Sequence, residues 1–177
     1  TLSAATSADH TIFDVTVPPD AVSVVVGLLA ESFEPILSHV DVEKRVAREE
    51  ILEHLDEEGR NVDADDLVHQ AAFGSHPLGL PILGTEESLD GFTREHLLEW
   101  HAKHYVASNA VLAIAGNFDA EAVLAAATES FASLPRGARV DPEPFVRHEP
   151  GPRFTYVDSV GAQTAVRIAF ASPRESD

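Results

Sequence analysis

Residues 41–59, DVEKRVAREEILEHLDEEG, predict a long acidic helix ended by Gly59. A helix turns by about 100° per residue, and a seven-residue step therefore overshoots two turns by only about 20°. Glu43, Glu50 and His54 consequently share one face of the predicted helix. The question is why charged and titratable side chains would be grouped there.

Apolar residues flank this face on both sides, namely Val42 and Val46 on one and Ala47 and Ile51 on the other. A carboxylate in such a setting must be paired, hydrogen-bonded or bound to a metal, because burying it bare is costly. Glu50 is therefore a candidate metal ligand, and Glu43, two turns away, a supporting carboxylate. Alternatively, Glu50 and His54, one turn apart, form an exposed pair on a solvated face.

Outward from this helix, strand and helix patterns alternate along the chain. The predicted elements are a strand at 11–17, a helix at 22–33, the acidic helix, a short helix at 63–72, a loop at 73–88, a helix at 93–104, a strand at 110–116 and a helix after 119. This order predicts an α+β fold in which helices pack on a mainly antiparallel sheet.

The end of the chain differs in composition from the rest. Residues 135–153 contain five prolines and are expected to form a linker. Two strand patterns follow, FTYVDS at 154–159 and TAVRIAFAS at 164–172, and each would need partners from elsewhere. We therefore expect residues 1–134 to be most of one domain and 154–177 to be the start of a second.

Composition excludes several classes of function. The 177 residues are 44% hydrophobic and carry a formal charge of -18, which opposes binding to nucleic acid or to anionic lipid. The absence of cysteine means that any metal must be held by His, Asp or Glu. The longest apolar run, VVVGLLA, is too short to cross a bilayer, so membrane insertion is not expected, and nothing indicates a compartment.

The histidines offer one further metal hypothesis. His101 and His104 lie one turn apart on a predicted helix and could present two imidazoles to zinc. Packing together with Leu97 and Tyr105 explains the same face without a metal. The isolated histidines suggest no chemistry, and the chain has neither a phosphate-binding glycine loop nor a nucleophile elbow.

Four stretches, in this order, resemble one family, the pitrilysin-like or insulysin-like zinc metallopeptidases, and in particular its processing-peptidase branch. They are SAATSADHTIF at 3–13, EKRVAREEI at 43–51, HPLGLPILGTEESL at 76–89 and HYVASNAVLAIAGNFD at 104–119. The resemblance covers about residues 3–134. It implies a metallopeptidase fold of the inverted-zincin type, as in LuxS and the processing peptidases.

The resemblance also implies a function, a zinc-dependent endopeptidase that hydrolyses peptides with metal-activated water. In the family, a His-x-x-Glu-His motif supplies two zinc-binding imidazoles and the general base, and a distal glutamate supplies the third ligand. By resemblance that ligand is Glu50, and Glu43 supports it. The strand of Ser3, Ala4, Ala5 and Thr6 would accept the peptide substrate as an added strand.

Two features depart from the family pattern. No His-x-x-Glu-His occurs in the chain, and Ser3 stands where the family usually has asparagine. We therefore expect a segment of a longer protein that lacks the first strands and the histidine helix, and that neither binds Zn²⁺ tightly nor cleaves peptides alone. A second, related domain is expected in the same chain or in a partner subunit. The alternative is a non-catalytic subunit of the same family that binds substrate or scaffolds a complex.

Overall fold

The computed structural model describes residues 2–146, 152–158 and 164–170. The chain forms two compact units. Unit 1 comprises the residues up to Thr6, His10–Val40 and Phe92–Pro142, and unit 2 comprises Ser7–Asp9, Asp41–Gly91 and the described residues from Glu143 onward. The regular elements are β1 (Leu2–Thr6), β2 (Thr11–Val15), α1 (Val22–Glu31), α2 (Val40–Glu53), α3 (Ala64–Phe73), α4 (Glu86–Gly91), α5 (Arg94–His104) and α6 (Ala120–Ser130).

The two strands form an antiparallel hairpin in unit 1. Its register runs from Leu2 opposite Val15 to Thr6 opposite Thr11. Side chains of β2 alternate as the sequence predicts, with Phe13 half-buried between exposed neighbours. In the described part of the chain this hairpin is a two-stranded sheet, and six α-helices accompany it, which agrees with the predicted α+β class.

The core of unit 1 lies where α1 packs against α6. Val26 and Val123 from these helices are buried, and so is Val106 after α5. Phe33, just beyond α1, lies at the centre of a group of aromatic rings, with ring centroids 6.1 Å from Phe13, 5.7 Å from Tyr105 and 5.7 Å from Phe131. Aromatic contacts at these separations join the hairpin to the helices of unit 1.

The first residues of the predicted linker lie against a short 3₁₀ turn, Ala107–Asn109, in the same unit. The Ala107 N–H donates to the Pro135 carbonyl at 2.9 Å, and the Ser108 N–H donates to the Arg136 carbonyl at 3.0 Å. These two backbone bonds hold the chain that leaves α6 beside buried Val106. The linker therefore begins as a well-anchored segment.

Three helices begin at residues whose side chains cap the first turn. Asp63 accepts hydrogen bonds from two backbone N–H groups in the first turn of α3, and Asp119 does the same for α6. Thr93 caps α5, where its side chain accepts from the His96 N–H. Each cap satisfies donors that a helix N-terminus leaves without intrahelical partners.

Unit 2 contains α2, α3 and α4 and the glycine- and proline-rich loop between α3 and α4. His76 fixes this loop: its Nδ1 accepts from the Leu78 N–H at 3.2 Å, and its Nε2 donates to the Glu143 carbonyl at 3.1 Å. The Phe145 ring packs on Phe73, with centroids 5.0 Å apart. The loop is therefore structured, as its composition predicts.

The predicted strand at 110–116 is wrong for this structure. The segment pairs with no strand among the described residues, and Val111 is 93% exposed. The described parts of the two predicted C-terminal strands, 154–158 and 164–170, are not in strands either, and the remainder lies outside the described residues. A β-strand is stabilised by hydrogen bonds to a neighbour, which the described chain does not supply to these segments.

The prediction that Gly59 ends the acidic helix is also wrong. α2 ends at Glu53, and the chain turns back so that Leu55 bridges Asn61. Asp56 stabilises this turn, because its carboxylate accepts the Arg60 backbone N–H at 2.8 Å. That hydrogen bond, with help from the Arg60 guanidinium, lowers the pKa of Asp56.

None of the helices in the described residues combines the length and apolar character that a bilayer crossing requires.

Candidate metal centre

The two candidate carboxylates lie on the exposed side of α2. Glu43 and Glu50 are both exposed to solvent. Neither carboxylate makes a hydrogen bond or ion pair to another described residue. A step of seven residues keeps them on one face, as the sequence predicts. Both carboxylates are thus open to a ligand.

The expected burial beside this face is wrong. Val42 is 44% exposed and Val46 is 49% exposed, whereas Ile51 is buried. The helix therefore turns a different side inward, and the premise that Glu50 is buried beside apolar residues does not hold. Glu50 remains a candidate ligand because of its accessibility and its family position.

His54 does not pair with Glu50, which was the alternative interpretation. Its Nδ1 instead lies 3.5 Å from Oδ2 of Asp66, and the same carboxylate oxygen accepts from Asn61 Nδ2 at 2.9 Å. The sequence did not predict this contact, and the only feature in it that points this way is a second aspartate, Asp66, three residues after Asp63. His54 therefore ties the end of α2 to the start of α3.

In the part of the chain that the structure describes, one group of three potential metal ligands comes together, His54, Asp63 and Asp66, with their ligand atoms within 4.8 Å of one another. Folding explains each member without an ion. Asp63 Oδ1 accepts the Asp65 and Asp66 N–H groups at 3.0 and 2.9 Å, and Asp66 faces His54 and Asn61. The group is a helix cap joined to a contact between the His54 ring and the Asp66 carboxylate.

Glu43 and Glu50 do not belong to that group, and the described residues do not gather two further ligands around either of them. A carboxylate oxygen is a suitable donor for zinc, but a single carboxylate does not make a zinc site, since such sites use three or four protein ligands. Glu50 therefore has the donor chemistry of a zinc ligand but does not form a zinc site with the other described residues.

The predicted substrate strand is present as β1. All five of its residues, Leu2–Thr6, are exposed, and within the described chain only one of its two edges is paired, by β2. The Ser3 hydroxyl donates across the hairpin to Asp14 Oδ1 at 2.5 Å. This strand therefore offers a free backbone edge, as strand addition requires.

His101 and His104 are explained by packing. His101 Nε2 lies 2.6 Å from the Phe33 carbonyl, and its ring stacks on Tyr105 with centroids 4.5 Å apart. The His104 ring stacks on Trp100 at 3.9 Å, and burial of the ring lowers the pKa of His104. Both rings thus take part in packing contacts within unit 1.

Comparison with known families assigns both halves of the chain to one group of peptidases. Residues 1–86 match the family model described as "Insulinase (Peptidase family M16)", and residues 91–177 match the one described as "Peptidase M16 inactive domain". The two matches together leave only a short stretch around α4 unmatched.

Curated relatives with similar sequences carry the name of uncharacterized zinc protease. One from Mycobacterium tuberculosis strain H37Rv is 33% identical over 97% of this chain and 40% of its own length. Another, from Mycobacterium leprae, is 31% identical over 99% of this chain and 40% of its own length. The chain thus spans about 40% of the length of these relatives.

A solved structure has a similar fold. The crystal structure of a protease from Helicobacter pylori superposes with a TM-score of 0.69, at 19% sequence identity, over 85% of this chain and 36% of that protein. At this identity the likeness supports the fold.

Proposed function

Because the chain belongs to the M16 family of peptidases, the insulinase family, we propose that it is part of a zinc-dependent endopeptidase and carries one zinc ligand, Glu50. The observation that carries this proposal is the similarity, over nearly the whole chain, to proteins named zinc proteases. Zn²⁺ is the metal that those names imply.

Glu50 has the properties that a ligand needs. It is exposed, it has no partner among the described residues, and it lies in the last turn of a 14-residue helix. A ligand on a rigid helix is held more accurately than one on a loop. Glu43, two turns earlier on the same face, would hydrogen-bond and orient the groups around the metal.

When bound by three protein ligands, zinc supplies an activated water and polarises the scissile carbonyl. The residues of this chain would contribute in two ways: Glu50 would bind the metal, and β1 would bind the peptide. Added as a strand to the free edge of β1, a peptide would be held mainly through backbone hydrogen bonds, which gives affinity with loose sequence preference.

A second candidate function is a non-catalytic subunit that binds substrate or scaffolds a complex. The observation that favours it is the description of the family matched by residues 91–177, which names an inactive domain. The exposed pair of Glu43 and Glu50 at a seven-residue spacing favours the catalytic proposal instead, since a non-catalytic subunit has no need of either carboxylate.

The first test compares the full-length protein with residues 1–177 alone, using an unstructured peptide as substrate. We expect the full-length protein to hydrolyse the peptide, to lose activity with a zinc chelator and to regain it with added Zn²⁺. The 177-residue chain should be inactive, because one carboxylate does not hold the metal. Peptide cleavage is followed by mass spectrometry.

Hydrolysis that a chelator leaves unchanged would contradict the zinc proposal. A full-length protein that binds the peptide but does not cleave it, with or without Zn²⁺, would favour the non-catalytic subunit. Cleavage by residues 1–177 alone would show that further ligands are not needed.

A further inference from the structure

The side of α2 that faces away from Glu50 is held by a group of charged residues, here called the clamp: Lys44 and Arg48 from α2 and Glu86 and Asp90 from α4. The Arg48 guanidinium contacts both acids, with Nη1 lying 3.2 Å from Glu86 Oε2 and Nη2 bonding to the Asp90 carboxylate. Lys44 Nζ donates to the Asp90 backbone carbonyl at 3.2 Å. All four residues belong to unit 2.

The geometry of the helix relates the clamp to the candidate ligand. At about 100° per residue, Lys44 and Arg48 lie on the same side of α2 as buried Ile51. Glu50 lies about 160° from Arg48 around the helix axis, and Glu43 about 140°. The clamp therefore holds one side of the helix while the two carboxylates project from the other.

Apolar packing alone fixes α2 weakly. Ile51, 4% exposed, is the one buried residue of this helix, and Val42 and Val46 remain open to solvent. With one buried side chain, the orientation of α2 depends largely on polar contacts, namely the His54–Asp66 contact at its end and the clamp along its length. A guanidinium that reaches two carboxylates on a second helix restricts both rotation and sliding, since its donors have a fixed planar geometry.

We propose that Arg48 is a positioning residue for Glu50, acting through Glu86 and Asp90 to fix the rotation of α2. This inference rests on the proposed function, because it concerns the zinc affinity that Glu50 would confer. The side chains of Arg48 and Glu86 are 35% and 42% exposed, so the ion pairs are partly solvated and contribute little to overall stability. Their effect is on ligand geometry, which must be held to about half an ångström.

The test measures the zinc affinity of the full-length protein by competition with a chromophoric chelator. Arg48→Gln should weaken zinc binding by about fivefold, less than the roughly 10- to 100-fold loss on removing a group that hydrogen-bonds a metal ligand directly, because Arg48 acts on Glu50 only through the helix. Arg48→Lys, which keeps the charge but lacks the fixed planar fork of donors, should recover part of that loss. Arg48→Gln should also lower kcat more than it raises KM, because substrate binding to β1 does not involve α2.

The matched control is Arg45→Gln. Arg45 lies on the same helix, is exposed, and has no hydrogen bond or ion pair to a described residue, so the substitution removes the same charge without the clamp contacts. Its zinc affinity should stay within about twofold of the wild type. A drop equal to that of Arg48→Gln would overturn the inference, because it would indicate a general effect of charge.

A double-mutant cycle tests the route through α4. If Arg48 acts through its two acidic partners, Arg48→Gln should have little further effect once Glu86→Gln and Asp90→Asn are present. Full additivity would overturn the inference.

If Arg48→Gln fails to fold, Asp90→Asn tests the same contact. The Asp90 side chain is 62% exposed, and this substitution should weaken zinc binding about threefold. An unchanged affinity in that variant would count against the clamp.

The inference and the proposed function can fail separately. Loss of zinc in Glu50→Gln combined with wild-type affinity in Arg48→Gln would reject only the positioning role. A wild-type protein that binds no zinc, or a Glu50→Gln variant that keeps it, would reject both.

Discussion

Glu50→Gln in the full-length protein is expected to abolish zinc retention and peptide hydrolysis while leaving the fold intact. Glutamine keeps the size of the side chain but is a much poorer ligand, because it lacks the negative charge of the carboxylate. Structural zinc sites with four protein ligands gain about 10–16 kcal/mol, so the average contribution of one ligand is about 2.5–4 kcal/mol. This corresponds to roughly 100- to 1000-fold in zinc affinity.

The fold should survive this change because Glu50 is exposed and contacts no described partner through its carboxylate. Exposed substitutions of this kind usually change stability by less than about 0.5 kcal/mol. Metal content is measured by elemental analysis after dialysis, and folding by circular dichroism. Glu49→Gln, at the preceding exposed position of the same helix, is the matched control and should keep both metal and activity. Unchanged zinc content in Glu50→Gln would remove Glu50 from the metal site.

Gly137→Ala is expected to have the largest effect on stability. Gly137 adopts a left-handed backbone conformation with φ of 59°, and a Cβ there would lie 2.4 Å from the Val106 Cβ. Val106 is only 2% exposed and cannot move aside easily. Left-handed strain costs about 1–2 kcal/mol and overpacking about 1–3 kcal/mol, so we expect a loss of about 2–5 kcal/mol.

Two other glycines separate these contributions. Gly59 has φ of 76°, and a Cβ added there would meet no other atom within 4 Å, so Gly59→Ala should show the strain alone. Gly91 has ordinary backbone angles and open space, and Gly91→Ala should be nearly neutral. Urea unfolding gives the free energies. Equal losses in Gly137→Ala and Gly59→Ala would mean that the contact with Val106 contributes nothing.

Local signals in the sequence predicted the helices well. Asp63, Thr93 and Asp119 each begin a helix where predicted, because a cap depends on residues two or three positions away in the chain. The β2 strand was predicted for a similar reason, since its alternation is visible in five residues. The start of each of these helices, and the alternation of this strand, depend on residues that are close together in the chain.

Features that depend on distant residues were predicted less well. The apolar run at 110–116 has the composition of a central strand but finds no strand partner in the described chain. The inward face of α2 was misjudged because Arg48 and Lys44 bond to the neighbouring helix, whereas Val42 and Val46 on the flank are 44% and 49% exposed. Charged side chains that pair with another element cannot be told from solvated ones by periodicity.

In the candidate site, too, local features were predicted from the sequence and features that depend on distant residues were not. A seven-residue spacing was enough to place Glu43 and Glu50 on one face, but their exposure followed only from the structure. The contact between His54 and Asp66 joins residues 12 positions apart and depends on the turn after α2. The role of Glu50 itself came from the family resemblance and not from the pattern of this helix.

The central claim is that Glu50 binds zinc in the full-length protein. X-ray diffraction from crystals of that protein, measured on both sides of the zinc absorption edge, tests it most directly. We predict an anomalous difference peak about 2.0–2.2 Å from a carboxylate oxygen of Glu50. A zinc peak bound elsewhere, with Glu50 facing solvent as it does here, would contradict the account, and so would crystals grown with Zn²⁺ that show no zinc peak.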